Sequence, residues 1–115
     1  MATIEQILAI DDSNVRNVVV PEWGDITVRV ACMSALDRAA IERDFSGKRA
    51  SADPAGFRVA ILSACLQRDD GAPLGAPEMM TKLLGKSAVA IERLFDAACA
   101  VSGLSAGADK EAEKN

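Results

Sequence analysis

Apolar and polar residues alternate from Ile26 through Thr27, Val28 and Arg29 to Val30, the two-residue period of a strand with one buried face. Ahead of them runs Val18-Val19-Val20, and between the two lies Pro21-Glu22-Trp23-Gly24-Asp25. Proline cannot donate to a strand ladder, and glycine reaches backbone angles closed to other residues. The segment therefore predicts a turn, and Val15–Val30 as a whole predicts an antiparallel hairpin. A lone hairpin is marginal in water, so helices or another subunit must cover its apolar face.

The rest of the pattern has the period of helices. Thr3 and Gln6 have the spacing of a capping box at the start of a short helix, with Ile4, Ile7 and Leu8 on one face. Asp11-Asp12-Ser13-Asn14 is turn chemistry leading into the hairpin. Ser34 with Asp37 marks the next helix start, Leu36, Ala40 and Ile41 share one side of that helix, and Gly47 is its expected end. Lys48 to Ala52 reads as a polar connector. Asp53-Pro54 joins a cap to a proline at the first helical position. The segment from Phe57 to Leu66 is apolar nearly all round and fits a buried central helix, although Val59-Ala60-Ile61-Leu62 alone also suits a buried strand.

Asp69-Asp70-Gly71 turns the chain, and Pro73 and Gly75 keep it irregular. A short helix opened by Pro77 and Glu78 and closed by Gly85 then carries Met79, Met80, Leu83 and Leu84. The last helix has the clearest stripe: Ser87 caps it, and Ile91, Leu94, Phe95, Ala98 and Val101 fall at helical spacing, away from Glu92, Arg93 and Asp96. Gly103 supplies a left-handed stop onto which Leu104 can fold back. From Ser105 to Asn115 no apolar residue exceeds alanine, which predicts a mobile tail. The expected architecture is α+β and mostly helical. It is a single globular domain over 1–104 with one antiparallel β-hairpin near the N-terminus, followed by a disordered tail over 105–115.

Composition removes several function classes. Half of the 115 residues are apolar but only 3% are aromatic, so the core is built from Ala, Val, Ile, Leu and Met. A net charge of −4 argues against a binder of the nucleic-acid backbone, which needs a basic stripe. No apolar run has the length of a membrane span and no signal-peptide pattern opens the chain, so a soluble cytoplasmic protein is expected. With no histidine, Ser-His and Cys-His nucleophile pairs are impossible. Cys32, Cys65 and Cys99 are odd in number, lack Cys-x-x-Cys spacing and sit among apolar neighbours, where a thiol behaves as a small hydrophobe. Gly85-Lys86-Ser87 looks like the end of a P-loop, but Met80 stands where its first glycine belongs. Asp69-Asp70-Gly71 with Glu78 misses the EF-hand spacing by one residue. No catalytic residue, metal ligand or cofactor is assigned.

Trp23 and the Met79, Met80, Leu83, Leu84 patch remain as partner-binding candidates, because Trp is enriched at binding hot spots and Met-rich surfaces adapt to varied apolar partners. The alternative is that Trp23 clamps the hairpin to the helices while the methionines fill core gaps.

One resemblance orders these features. A short helix, a Val-rich strand, Pro21-Glu22-Trp23-Gly24, a Val-x-Val strand and a Ser-capped helix come first. An apolar helix, Asp69-Asp70-Gly71-Ala72-Pro73-Leu74, and Gly85-Lys86-Ser87-Ala88 before Ile91-Glu92-Arg93-Leu94-Phe95 complete the series. From about Ile4 to Leu104 the chain resembles the tail assembly chaperones of long-tailed phages and prophages. The resemblance implies a non-enzymatic assembly factor of the host cytoplasm. Such a factor holds the helical tape-measure protein soluble, helps recruit tail-tube subunits and is usually absent from the finished particle. It also implies a homo-oligomer and a longer frameshifted form that contacts the tube subunit, and Glu113-Lys114-Asn115 permits an adenine-rich slip site. Two other readings stay open: a structural virion component such as a head–tail connector, and a small thiol-dependent enzyme using one of the three cysteines.

Overall fold

Helix starts in this chain are set by side chains that accept hydrogen bonds from the first unpaired backbone N–H groups. In the computed structural model, which describes residues 1–46 and 52–104, Thr3 opens α1 (Ile4–Leu8) with a complete capping box. Thr3 Oγ1 accepts from the Gln6 N–H at 3.2 Å, and Gln6 Oε1 accepts from the Thr3 N–H at 2.9 Å. Ser34 caps α2 (Ala35–Asp44) through the Asp37 N–H, and Asp53 caps α3 (Pro54–Cys65) through the Gly56 N–H. The short α4 (Pro77–Thr81) begins on its proline and runs into a 3-10 turn at Lys82–Gly85. Ser87 then caps α5 (Ala88–Val101) through the Ala90 N–H. The expected helix end at Gly47, the connector from Lys48 to Ser51 and the tail over 105–115 lie outside the described residues.

The hairpin is present. β1 (Val15–Val20) and β2 (Ile26–Ala31) pair antiparallel, with Val15 opposite Ala31, Val18 opposite Val28 and Val20 opposite Ile26. Pro21–Trp23 forms one 3-10 turn between them, and Gly24 closes it at φ 73°. Two further residues extend the sheet beyond the expected hairpin: β3 (Leu66–Gln67) pairs with Arg29 and Val30, giving the order β1-β2-β3. Leu66 therefore leaves the helix expected to contain it, and its backbone turns extended at ψ 132°. Val59 to Leu62 lie inside α3, which settles the helix-or-strand alternative there as helix.

Residues opposite one another across a ladder share a face. Val18, Val20, Val28 and Val30 point inward against α5, while Asn17, Val19, Thr27 and Arg29 point out. α5 buries Ala90, Ile91, Leu94, Ala97, Ala98, Cys99 and Val101, and meets Ile61, Leu62 and Cys65 of α3 on another side. The three phenylalanines run edge-to-face, Phe45 to Phe57 at 5.6 Å and Phe57 to Phe95 at 6.1 Å, joining α2, α3 and α5. Arg58 lies 4.7 Å above the Phe95 ring and pairs with Glu92 at 2.8 Å. Gly103 turns left-handed at φ 75°, and Leu104 folds back so that its N–H reaches the Cys99 carbonyl. Ser102 is buried where three segments end; its Oγ accepts from the Met33 N–H at 3.2 Å and lies 3.5 Å from the Cys65 thiol.

Two expected apolar faces are not buried. Leu36 on α2 is 81% exposed, because α2 meets the body through Ile41 and Phe45 rather than through its first turn. Ile4, Ile7 and Leu8 are exposed as well, because α1 buries none of its residues. No helix among the described residues is long and apolar enough to cross a membrane.

The turn end of the hairpin is latched to α5 by a forked ion pair, Arg93 to both carboxylate oxygens of Glu22 at 3.1 and 3.2 Å. The Arg93 hydrogen bonds hold the Glu22 carboxyl below the ordinary glutamate range. A group whose pKa is lowered on folding contributes above its unfolded pKa, and that contribution is lost as pH falls through the folded value. Urea midpoints followed from neutral into acid pH should therefore fall less steeply for Glu22→Gln than for the wild type; parallel curves would show that the latch carries no pH-dependent stability. Replacing Leu94, fully buried, with Ala should cost about 2–5 kcal/mol in urea unfolding. The exposed Leu36→Ala should change stability by less than about 0.5 kcal/mol.

Candidate functional site

The five candidate residues are not one patch. Met80 is buried in the core, and Met79 and Leu84 are exposed. Trp23 and Leu83 are half-buried and line one groove of about 670 Å³ together with Ile26, Val28 and Leu74. The separation follows from local geometry. α4 ends at Thr81 and tightens to a 3-10 turn, so the i, i+3 and i+4 relations of a continuous helix do not carry from Met79 and Met80 to Leu83 and Leu84.

Each wall of the groove has a local cause. Trp23 ends the 3-10 turn that Pro21 starts and the Glu22–Arg93 pair holds. Ile26 belongs by register to the inward face of β2 but sits past the last rung shared with β3, so it is 51% exposed. Because β3 pairs only with Arg29 and Val30, the β2 edge from Ile26 to Val28 has no third-strand partner on that side. Leu74 is placed by the Asp69–Gly71 turn. Asp70 Oδ1 accepts from the Ala72 N–H at 2.9 Å, Gly71 sits at φ 87°, and the Leu74 N–H donates to the Leu66 carbonyl at 3.1 Å. Leu83 comes from the 3-10 turn, and the Lys86 N–H closes onto the Leu83 carbonyl.

The rim is polar and mostly basic: Arg29, Arg68 and Lys86 against Asp69. Arg68 pairs with Asp70 at 2.9 Å, which lowers the Asp70 carboxyl, and Arg29 donates to the Gln67 side chain at 2.9 Å. Arg29 and Lys86 enter no ion pair among the described residues. An apolar trough with a charged rim suits the face of an amphipathic helix. Sequence reasoning missed Ile26, because its alternation reads as buried. It also missed Leu74, whose segment carries no period.

Reactive chemistry is sparse. No group of three or more acidic, Cys or His residues able to hold a metal lies among the described residues. Burial raises the Cys65 thiol, which disfavours the thiolate that nucleophilic chemistry requires. Cys99 is buried, and the half-buried Cys32 thiol donates to the Met33 carbonyl at 3.3 Å. None of the three is in a disulfide.

Neither protein-family models nor curated protein sequences match the chain. Among solved structures, it is similar to the bacteriophage HK97 tail assembly chaperone, with a TM-score of 0.60 over 85% of this chain and 91% of that chain. Sequence identity is 19%, so the likeness lies in the fold rather than in shared side chains. The element order that resembles tail assembly chaperones in sequence thus folds as one of them does: this chain has the fold of a phage tail assembly chaperone.

Proposed function

We propose that the protein is a tail assembly chaperone that holds an apolar helix of the tape-measure protein in the Trp23–Leu83 groove. In this reading it acts in the host cytoplasm, is not an enzyme, and helps bring tail-tube subunits to the tape measure. A longer frameshifted form would carry the contact to the tube subunit. The observation that carries the proposal is the groove itself: Trp23, Ile26, Leu74 and Leu83 line an open apolar trough in a fold shared with a tail assembly chaperone. An aromatic anchor inside an apolar trough is the usual centre of a helix-binding surface.

Co-expression with a phage tape-measure protein is the direct test. The wild-type chain should keep that partner soluble and co-purify with it. Leu74→Asp, at an exposed position of the groove, should reduce the co-purified amount by roughly tenfold, the effect of about 1.4 kcal/mol. Leu36→Asp, on a surface outside the groove, should leave it unchanged. Equal recovery from all three chains would refute the groove as the binding site. Stoichiometric presence of the chain in purified particles would instead favour a structural part of the virion.

A further inference from the structure

Four large apolar side chains near the N-terminus lack cover: Ile4, Ile7, Leu8 and Ile10 are exposed, and α1 buries none of its residues. A five-residue helix has no stability of its own in water, yet this one is held by a full capping box. It is a preformed apolar face on a short tether. The tether is shaped too. Asp11 Oδ1 accepts from the Ser13 hydroxyl at 2.6 Å and from the Ser13 N–H at 3.1 Å, which fixes a turn just before β1.

The course of the tether sets what α1 can reach. It leaves the body at Asn14, whose carbonyl accepts from the Cys32 N–H. Cys32 stands three residues past Arg29, so this root lies about 10 Å from the rung where Arg29 meets Gln67. Arg29 lines the groove, and its charge adds to the Ser13 hydrogen bonds that hold the Asp11 carboxyl below the ordinary aspartate range. Asp11 therefore stands on the groove side of the root. From Arg29 the trough follows β2 for three residues, about 10 Å, to Ile26 and then reaches Trp23. The five residues of α1 span about 7.5 Å, and only Ala9 and Ile10 separate them from Asp11.

We infer that α1 is a strap, open in this structure, that folds back over the Trp23–Leu83 groove of its own chain and shields it until a client helix displaces it. Charge selects the same occupant. Residues 1–14 contain Glu5, Asp11 and Asp12 and no lysine or arginine, while the rim carries Arg29, Arg68 and Lys86 against Asp69. A tethered arm acts at an effective concentration on the order of 1 mM, which favours it over a free copy of the chain in dilute solution. Displacement by a client rests on the reading of the groove given above; closure is a property of the free chain.

Trp23 is the only tryptophan in the chain and lines the groove, so its emission reports closure. Wild-type emission should lie to the blue of the Ile7→Asp, Leu8→Asp double variant, and the difference should survive hundredfold dilution. The double variant should keep cooperative melting, because neither side chain is buried. A synthetic peptide of residues 1–14 should shift the variant's emission to the blue, and the wild type should require at least tenfold more of it for the same occupancy. In the full chain, Lys86→Glu should weaken closure by roughly three- to tenfold at low salt, the range for reversal of one exposed charge contact.

Identical emission from wild type and double variant would overturn the inference, as would a blue shift lost on dilution, which belongs to contact between copies. Loss of cooperative melting in the variant, or a peptide that leaves Trp23 unmoved, would overturn it equally. With a phage tape-measure protein, the double variant should co-purify at least threefold more of it than the wild type does; a smaller yield would make the arm a helper rather than a guard. Recovery of none by either chain would count against the client reading, while closure is decided by the emission measurements alone.

Discussion

The contact between α5 and the inner face of the hairpin is the constraint on which the rest of the structure depends. Two strands cannot bury their valines by themselves, and α5 offers a surface on which they can. Ala90, Ile91, Leu94, Ala97 and Ala98 on that helix share one buried cluster with Val20, Val28 and Val30 of the hairpin and with Ile61 and Leu62 of α3. Because α5 is covered by the sheet on one side and by α3 on another, its charged residues are confined to the remaining strip. Arg93 uses that strip to reach Glu22, and Glu92 uses it to reach Arg58. A single helix thus fixes the hairpin turn, the neighbouring helix and the aromatic line through Phe57 and Phe95.

Most of this framework is written in local chemistry. Thr3, Ser34, Asp53 and Ser87 each announce a helix start because a short polar side chain has one geometric solution at that place, and all four adopt it. The hairpin was legible from its period and from Pro21 and Gly24, and the end of α5 from Gly103. β3 was not legible, because two residues continuing an apolar helix carry no period and their pairing depends on where β2 happens to lie. Leu36 and the α1 residues show the opposite limit: a helical stripe says which residues share a face, not whether anything meets that face. The candidate site was half legible. Trp23 and Leu83 stand together, but the turn of the backbone after Thr81 divides the methionine–leucine patch among core, groove and open surface in a way that spacing alone does not reveal.

The groove exists because the sheet is incomplete. Had β3 continued for three more rungs, it would have covered the Ile26 to Val28 edge and closed the trough. The tight turn after Gln67, fixed by Asp70, Gly71 and the Arg68 N–H bond to the Ala72 carbonyl at 2.8 Å, prevents this. A feature that ends a strand is therefore also what opens a surface.

Ser102 has a consequence for how sequence can be added to this body. It is the buried polar residue of the described core, bound to Met33 just past the end of β2, and the chain emerges two residues later at Leu104. The end of the described body is thus anchored by the interior rather than by the surface. A polypeptide joined at Leu104 is therefore rooted where β2 and α5 finish, at the opposite end of the hairpin from the turn that carries Trp23.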